Sequence, residues 1–313
     1  MTLTYLLVAL TKIGFQKSWS DTAVFYRHGE KDFAILGKIK LDLMEIFKMK
    51  DLGKIHWLLN LKIERDNNSR LISFSQEAYI DKILNHFYLE GSKIHITPLD
   101  PNVKLTKDQC PHTQEQLTMA KIPYREVIGS LMWAAITTRL NIAFAVSLLS
   151  QFLENPGEFH WKAMKRVLSY LKWTKNYKLS LGWNKNGWLG YTYADWVSQD
   201  HRHLILAYIF QIYGGSISWS CQKQIIVALS LTEAEFITLT HATKEALWLH
   251  HFITETFQLL QCPIKLYSDN QSLSHIGINN TWGPNILTYD SILYMIQSRM
   301  VKSPSNISWP IKC

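Results

Sequence analysis

Hydrophobic and polar positions follow two rhythms along this chain, and the change from one to the other falls past its middle. In the first 98 residues the pattern is mixed. An apolar stretch over residues 4–13 predicts a helix, and "IHWLLNLKIERD", "NNS" and "RLISFSQ" predict a hairpin, because two β-rich runs flank Asn67, Asn68 and Ser69. In "QEAYIDKILNHF", Ala78, Ile80, Ile83, Leu84 and Phe87 recur at helical spacing. Residues 99–123 are polar, carry turn signals ("PLDP", "CPHT") and show no periodicity, which predicts a linker.

Helical spacing returns over residues 124–137, 141–153 and 157–174, separated by "TTRLN" and "ENPGEF". After residue 176 the period shortens to two in "LSLGW", "WLGYTYAD", "ILAYIFQI", "SISWS" and "IIVALS". A helix follows over "LTEAEFITLTHATKEALWLHHFITETF", then the strand "IKLYS", then a helix opening at Asp269 or Asn270. Three antiparallel strands extended by a parallel strand across a helix is the topology of a ribonuclease H-like sheet, here in a mixed α/β (α+β) chain with three helices before it.

Composition narrows this picture. With 313 residues, 47% hydrophobic and 19% charged, the chain is long enough for two cores and is not a disordered polymer. "YLLVAL" is too short to span a bilayer and lacks preceding basic residues, so no membrane helix or secretory signal is expected, and the expected place is intracellular, cytoplasm or nucleus. Four scattered cysteines without a C-x-x-C pair indicate neither a disulfide framework nor a zinc site. The net charge of +8 permits a polyanionic partner. Basic residues concentrate in "HWKAMKRVLSYLKWTKNYK", where Lys162, Lys165, Arg166, Lys172 and Lys175 are interleaved with Trp161, Tyr170 and Trp173. Cations with stacking aromatics suit a nucleic-acid groove, and the same pattern also describes an amphipathic helix with a solvated basic face.

The acids separate by position. Glu233 and Glu235 lie two apart on a predicted helix and therefore point about 200° away from each other. Ser230 with Glu233 forms an S-x-x-E capping box, which explains Glu233 as a helix-start device. Glu235 instead shares a stripe with Leu239, Ala242, Ala246 and Leu249, so it is expected to face inward, where a carboxylate needs a metal ion or a basic partner. Asp269 ends a strand and opens a helix, the place of an ordinary N-cap or of a second metal-binding carboxylate.

Several segments taken in order resemble the carboxyl-terminal part of the Pol polyprotein of copia-type LTR retrotransposons, from the end of the reverse transcriptase through the ribonuclease H domain. They are "FKMKDLGKIHWLLNLKI", "SFSQEAYIDKIL", "YREVIGSLMWAA", "TRLNIAFAVSLLSQF", "PGEFHWKAMKRVLSYLKWT", "GYTYADW", "ISWSCQKQ", "ALSLTEAEF", "KEALWL" and "SDNQS". The resemblance implies RNA-directed DNA synthesis and cleavage of RNA/DNA hybrids, with Mg2+ as cofactor and a hybrid as nucleic-acid partner. It divides the chain into a palm/thumb remnant (1–98), a linker (99–123), a helical connection (124–178), a ribonuclease H-like domain (179–302) and a tail (303–313).

The chain departs from that family at its acids. "DFAILGKIKLDLMEIFKMKDLG" closes over the place where the family carries its polymerase aspartate pair, and no Asp-Asp dipeptide exists in the chain. The resemblance puts the catalytic acids of the nuclease at Glu235, Asp269 and Tyr193, so a tyrosine stands where the first aspartate belongs. Asp195 is two residues further on, about 6.6 Å along a strand. The family's TRPD motif reads "TRLN" here, and no histidine follows His275. Three readings remain open: a relic without catalysis, a surviving nuclease using Asp195, Glu235 and Asp269, and a noncatalytic binding protein on the same scaffold. The missing palm strands also predict that the part before residue 98 is less stable than the rest.

Overall fold

The computed structural model describes residues 3–28, 33–89, 91, 93–111, 121–182, 187–195, 205–223, 231–258, 264–268 and 286–287. The chain divides into two compact units, residues 1–55 with 243–264, and residues 56–242 with 265–313.

In the first unit, α1 (Leu3–Lys12) is the helix expected over residues 4–13, and it is followed by the two-stranded pair β1 (Gln16–Lys17) and β2 (Phe25–Tyr26) and by α2 (Phe33–Ile46). The turn between β1 and β2 is held by Glu255. Its carboxylate accepts hydrogen bonds from Ser18 Oγ (2.9 Å), Trp19 N (2.7 Å), and Ser20 N and Oγ (3.2 and 2.8 Å), while Trp248 Nε1 donates to Ser20 O (2.9 Å). Desolvation opposes ionisation of Glu255, but these donors prevail and hold its pKa at about 2. A folded pKa below the unfolded value of about 4.3 means the clasp contributes stability above pH 4.3 and loses it as pH falls toward 2. Tryptophan fluorescence should therefore show an acid transition of this unit between about pH 4 and 2. In Glu255→Gln that transition flattens; an unchanged acid limb would remove the clasp from the account.

In the second unit, β3 (Trp57–Leu58), β4 (Leu61–Asp66) and β5 (Leu71–Ser75) form a meander, and α3 (Glu77–His86) follows. The hairpin over Asn67–Ser69 is present. A second turn, missing from the sequence reading, places Leu59 and Asn60 at φ 49° and 65° and splits "WLLNL" into two strands. On α3, Ile80, Ile83 and Leu84 are buried. Ala78 is exposed, because it lies two residues from Ile80 and so on the opposite side of the helix.

Helices α4 (Tyr124–Thr137), α5 (Ala143–Ser150) and α6 (Glu158–Trp173) occur where the period predicts them. Val127, Leu131, Ile142, Leu149, Met164 and Leu168 join residues of α3 in one core. Strand β6 (Lys178–Leu181), expected to open the ribonuclease H-like sheet, belongs instead to the first sheet, paired antiparallel with β5 from Ile72↔Leu181 to Ser75↔Lys178. Alternation identifies a strand but not its neighbour; here the pairing is fixed by cross-strand contacts such as Ser73 Oγ to Ser180 Oγ at 2.9 Å.

The other sheet has the order β11-β10-β7-β8-β9. Strands β7 (Leu189–Asp195), β8 (Ile205–Ile212) and β9 (Gly215–Lys223) are antiparallel, and α7 (Leu231–Phe257) leads to β10 (Lys265–Ser268), which pairs parallel with β7. This mixed α/β arrangement is the strand order expected of a ribonuclease H-like sheet. The short β11 (Ile286–Leu287) pairs antiparallel with β10 and was not anticipated. Gly190 on β7 leaves room for buried Phe210 and Leu266, since a Cβ there would lie 2.6 Å from each side chain. At Gly215 a Cβ would lie 2.3 Å from Ser180 O, so glycine lets β9 approach β6.

Exposed apolar side chains concentrate early, with Trp19, Leu41, Leu52 and Leu59 all in the open. Because the β4–β5 hairpin is integrated in the second unit, the expected fragility narrows from the first 98 residues to those before 56. Limited proteolysis should cut first within residues 1–55. Earlier loss of the carboxyl-terminal half would contradict this.

Candidate functional site

Two of the residues singled out for chemistry, Tyr193 and Asp195, lie on β7, flanked by β8 and β10. Tyr193 pairs with Ala207, and Ser268 with Thr192. Along β7 the side chains alternate: Gly190 and Thr192 are buried, whereas Tyr191 and Tyr193 are exposed, Tyr193 to 53%. Tyr191 stacks on Tyr267 of β10 with ring centroids 5.3 Å apart. Tyr193 thus stands on the open face of a strand beside an aromatic pair. Asp195 closes β7, opposite Ile205; its side chain lies outside the described residues, as does Asp269.

On α7, Glu235 is only 4% exposed, and Leu239, Ala242, Ala246 and Leu249 are buried with it, while Glu233 is exposed. The apolar stripe and the opposed directions of the two glutamates follow the helical period. Ser230, the expected cap, lies outside the described residues. Magnesium favours hard, charged oxygen ligands in octahedral geometry. Of the three acids of the candidate set, only Glu235 has a described side chain, and among the described residues no group of three or more His, Cys, Asp or Glu is arranged to hold a metal ion.

The basic helix leads to a second place. A cavity of about 1320 Å³ opens between α5, α6 and the segment 93–108, with Lys223 at the end of β9 also lining it. Seven lining residues are basic and two acidic. Of the expected cations, Lys162, Lys165 and Arg166 line this cleft; Lys172 and Lys175 do not. Lys175 is committed to Asp81 at 3.1 Å. Arg166 pairs with Asp100 at 3.1 Å and donates to Thr97 Oγ1 at 3.0 Å, so it fastens the wall of the cleft. Lys162 pairs with Glu158 at 2.8 Å on an exposed surface, a contact worth little.

Three lysines that sequence analysis passed over, Lys93, Lys104 and Lys107, come from the wall segment. Their segment was read as linker from residue 99 because it lacks periodicity, yet it is docked on α6. His160 accepts a hydrogen bond at Nδ1 from Gly157 N (2.9 Å), so Nε2 carries the proton and donates to Thr106 O (3.2 Å). Burial lowers the His160 pKa and its ring stacks on Phe152 at 3.8 Å, consistent with a neutral structural imidazole.

The "TRLN" segment carries a buried hydrogen-bond network. Arg139, 2% exposed, donates through Nη1 to Thr174 O (2.8 Å), through Nη2 to Thr174 Oγ1, and through Nε to Asn141 Oδ1 (3.3 Å). Asn141 Nδ2 donates in turn to Tyr170 OH (2.6 Å), and the guanidinium lies 5.6 Å from the Tyr177 ring centroid. Burial lowers the Arg139 pKa. The motif thus caps the end of α6 through Thr174 O.

No helix among the described residues is long and apolar enough to cross a membrane. No protein-family model matches the chain, and no solved structure matches it. The retrovirus-related Pol polyprotein from transposon TNT 1-94 of Nicotiana tabacum is 42% identical over 86% of this chain, which spans 22% of that polyprotein. A transposon Ty5-1 protein of Saccharomyces cerevisiae is 32% identical over 67% of this chain and 68% of its own length. A secreted RxLR effector protein of Plasmopara viticola is 42% identical over 42% of this chain and 94% of the effector. The chain belongs to the family of retrovirus-related transposon Pol proteins.

Proposed function

We propose that this chain is the carboxyl-terminal part of a copia-type Pol polyprotein, covering the end of the reverse transcriptase and a ribonuclease H-like domain, which holds nucleic acid but does not cleave it. The observation that carries this reading is the phenol of Tyr193 on β7, where the family resemblance calls for a carboxylate, while Glu235 remains buried on α7. A phenol is uncharged at neutral pH and offers one oxygen, so the acid set lacks a negative charge where two metal ions would need it. Asp195 lies two residues along the strand, too far for a site that tolerates displacements of about 0.5 Å. In this reading the ribonuclease H-like part begins after β6, the helices over 124–173 form the connection, and an RNA/DNA hybrid or other nucleic acid is the partner of the whole. The lysines of the cleft supply the affinity.

Isothermal titration of magnesium into the chain and into Tyr193→Asp tests the role given to Tyr193. The variant should bind magnesium more tightly by at least ten-fold, and Tyr193→Asp combined with Glu235→Gln should lose the gain. A folded Tyr193→Asp variant with unchanged magnesium affinity would contradict the alignment of Tyr193 with a metal-binding acid.

A further inference from the structure

We propose that the cleft between α5, α6 and the 93–108 segment takes a single-stranded polynucleotide, bound through both its phosphates and its bases and indifferent to its sugar. This rests on the nucleic-acid reading above and goes beyond it in naming the strand state and the site.

Charge on the cleft is arranged on more than one side. Lys104 and Lys107 come from the wall segment, Lys165 from α6 and Lys223 from β9, and among the described residues none of the four makes an ion pair. Burial, and then the neighbouring Lys107 ammonium, lower the Lys223 pKa, although Lys223 Nζ donates to Gln151 Oε1 at 2.9 Å. An anion shared by Lys107 and Lys223 would offset both effects.

Alongside these cations the cleft carries exposed aromatic side chains. Phe144 on α5 is 41% exposed and Phe159 at the start of α6 is 55% exposed, and both line the cavity. Lys162 Nζ lies 5.6 Å from the Phe159 ring centroid, held only by the exposed pair with Glu158, so the ammonium can leave the ring for a phosphate.

Unstacked bases lie on aromatic rings, whereas a duplex keeps its bases stacked inside and shows phosphates and grooves to a protein. Cations alone fit either form; cations alongside exposed phenylalanine side chains fit a single strand. The 1320 Å³ volume exceeds the usual 300–1,000 Å³ of a small-molecule pocket and suits a run of about four nucleotides. No described feature of the cleft is specialised for a 2′-hydroxyl.

Fluorescence anisotropy of the full chain with labelled oligo-dT and oligo-U 12-mers and with a 12-base-pair RNA/DNA hybrid tests the proposal across a salt series. Both single strands should bind alike and about ten-fold or more tighter than the hybrid. Phe159→Ala and Phe144→Ala, both at exposed positions, should each weaken the single strands about ten-fold with the melting temperature unchanged and the hybrid little affected. Lys104→Gln with Lys107→Gln should lower the salt slope for the single strands by about 1.4 units, two contacts at about 0.7 each. Single-strand affinity untouched by both phenylalanine variants, or a preference for the hybrid, would overturn the single-strand proposal and leave the nucleic-acid reading standing. Displacement of the oligonucleotide by polyglutamate at equal charge concentration would also overturn it, marking the cleft as a general polyanion site. Absence of salt-dependent binding to any of the three probes would overturn both.

Discussion

Replacing Arg139 with alanine should cost about 3–5 kcal/mol and lower the melting temperature by about 10 °C, one of the largest losses available to a single substitution in this chain. The change removes a buried fork that holds Thr174 at the end of α6 and Asn141 before α5, and it leaves Thr174 O and Asn141 Oδ1 without that donor. Thr174 O keeps the Tyr177 N–H at 3.0 Å and the exposed Asn141 amide can turn to water, so the loss comes from the charge-assisted hydrogen bonds, about 1.5–3 kcal/mol each, and from the cavity. Arg139→Lys keeps the charge and loses the fork, so it should fall between. Asn141→Asp places a carboxylate beside the guanidinium, and Tyr170 OH can donate to it, so stability should rise by about 1 kcal/mol. Thermal unfolding of these three variants checks the assignment; an Asn141→Asp protein less stable than the parent would show that the amide is required in its own right.

The second large effect concerns the salt dependence of binding. Converting Lys104, Lys107 and Lys165 together to alanine should lower the slope of log affinity against log salt by about two to three units and reduce affinity more than ten-fold. These three line the cleft without an ion pair among the described residues. Lys175→Ala serves as the contrast, since its partner is Asp81 and the slope should stay where it is. Arg166→Ala should act differently again, by loosening the wall at Thr97 and Asp100. An unchanged slope in the triple variant, measured by anisotropy, would exclude this cleft as the interface.

Local order was legible wherever periodicity set it. Helix α4, the helix α7 with its inward Glu235, and strands β7 and β8 occur where spacing puts them, because a buried face imposes its period on the sequence. What spacing does not carry is the choice of neighbour. Strand β6 reads as a strand in either sheet, and only its register with β5 assigns it. The wall of the cleft was unreadable for the same reason: its anchors are Arg166 and His160, many residues away, and its own residues have no period. The turn at Leu59 and Asn60 escaped notice because it uses left-handed conformations without a glycine. At the acids the sequence and the structure meet on Tyr193, whose identity comes from the first and whose exposed position on β7 comes from the second.

The most direct test of the account is incubation of the full chain with a labelled RNA/DNA hybrid and magnesium, alongside Glu235→Gln. On the proposed reading, in which Tyr193 stands where a metal-binding acid is needed, the hybrid should remain intact with both proteins. Magnesium-dependent cleavage by the unmodified chain that disappears in Glu235→Gln would contradict it and establish a working nuclease built without an acid at residue 193.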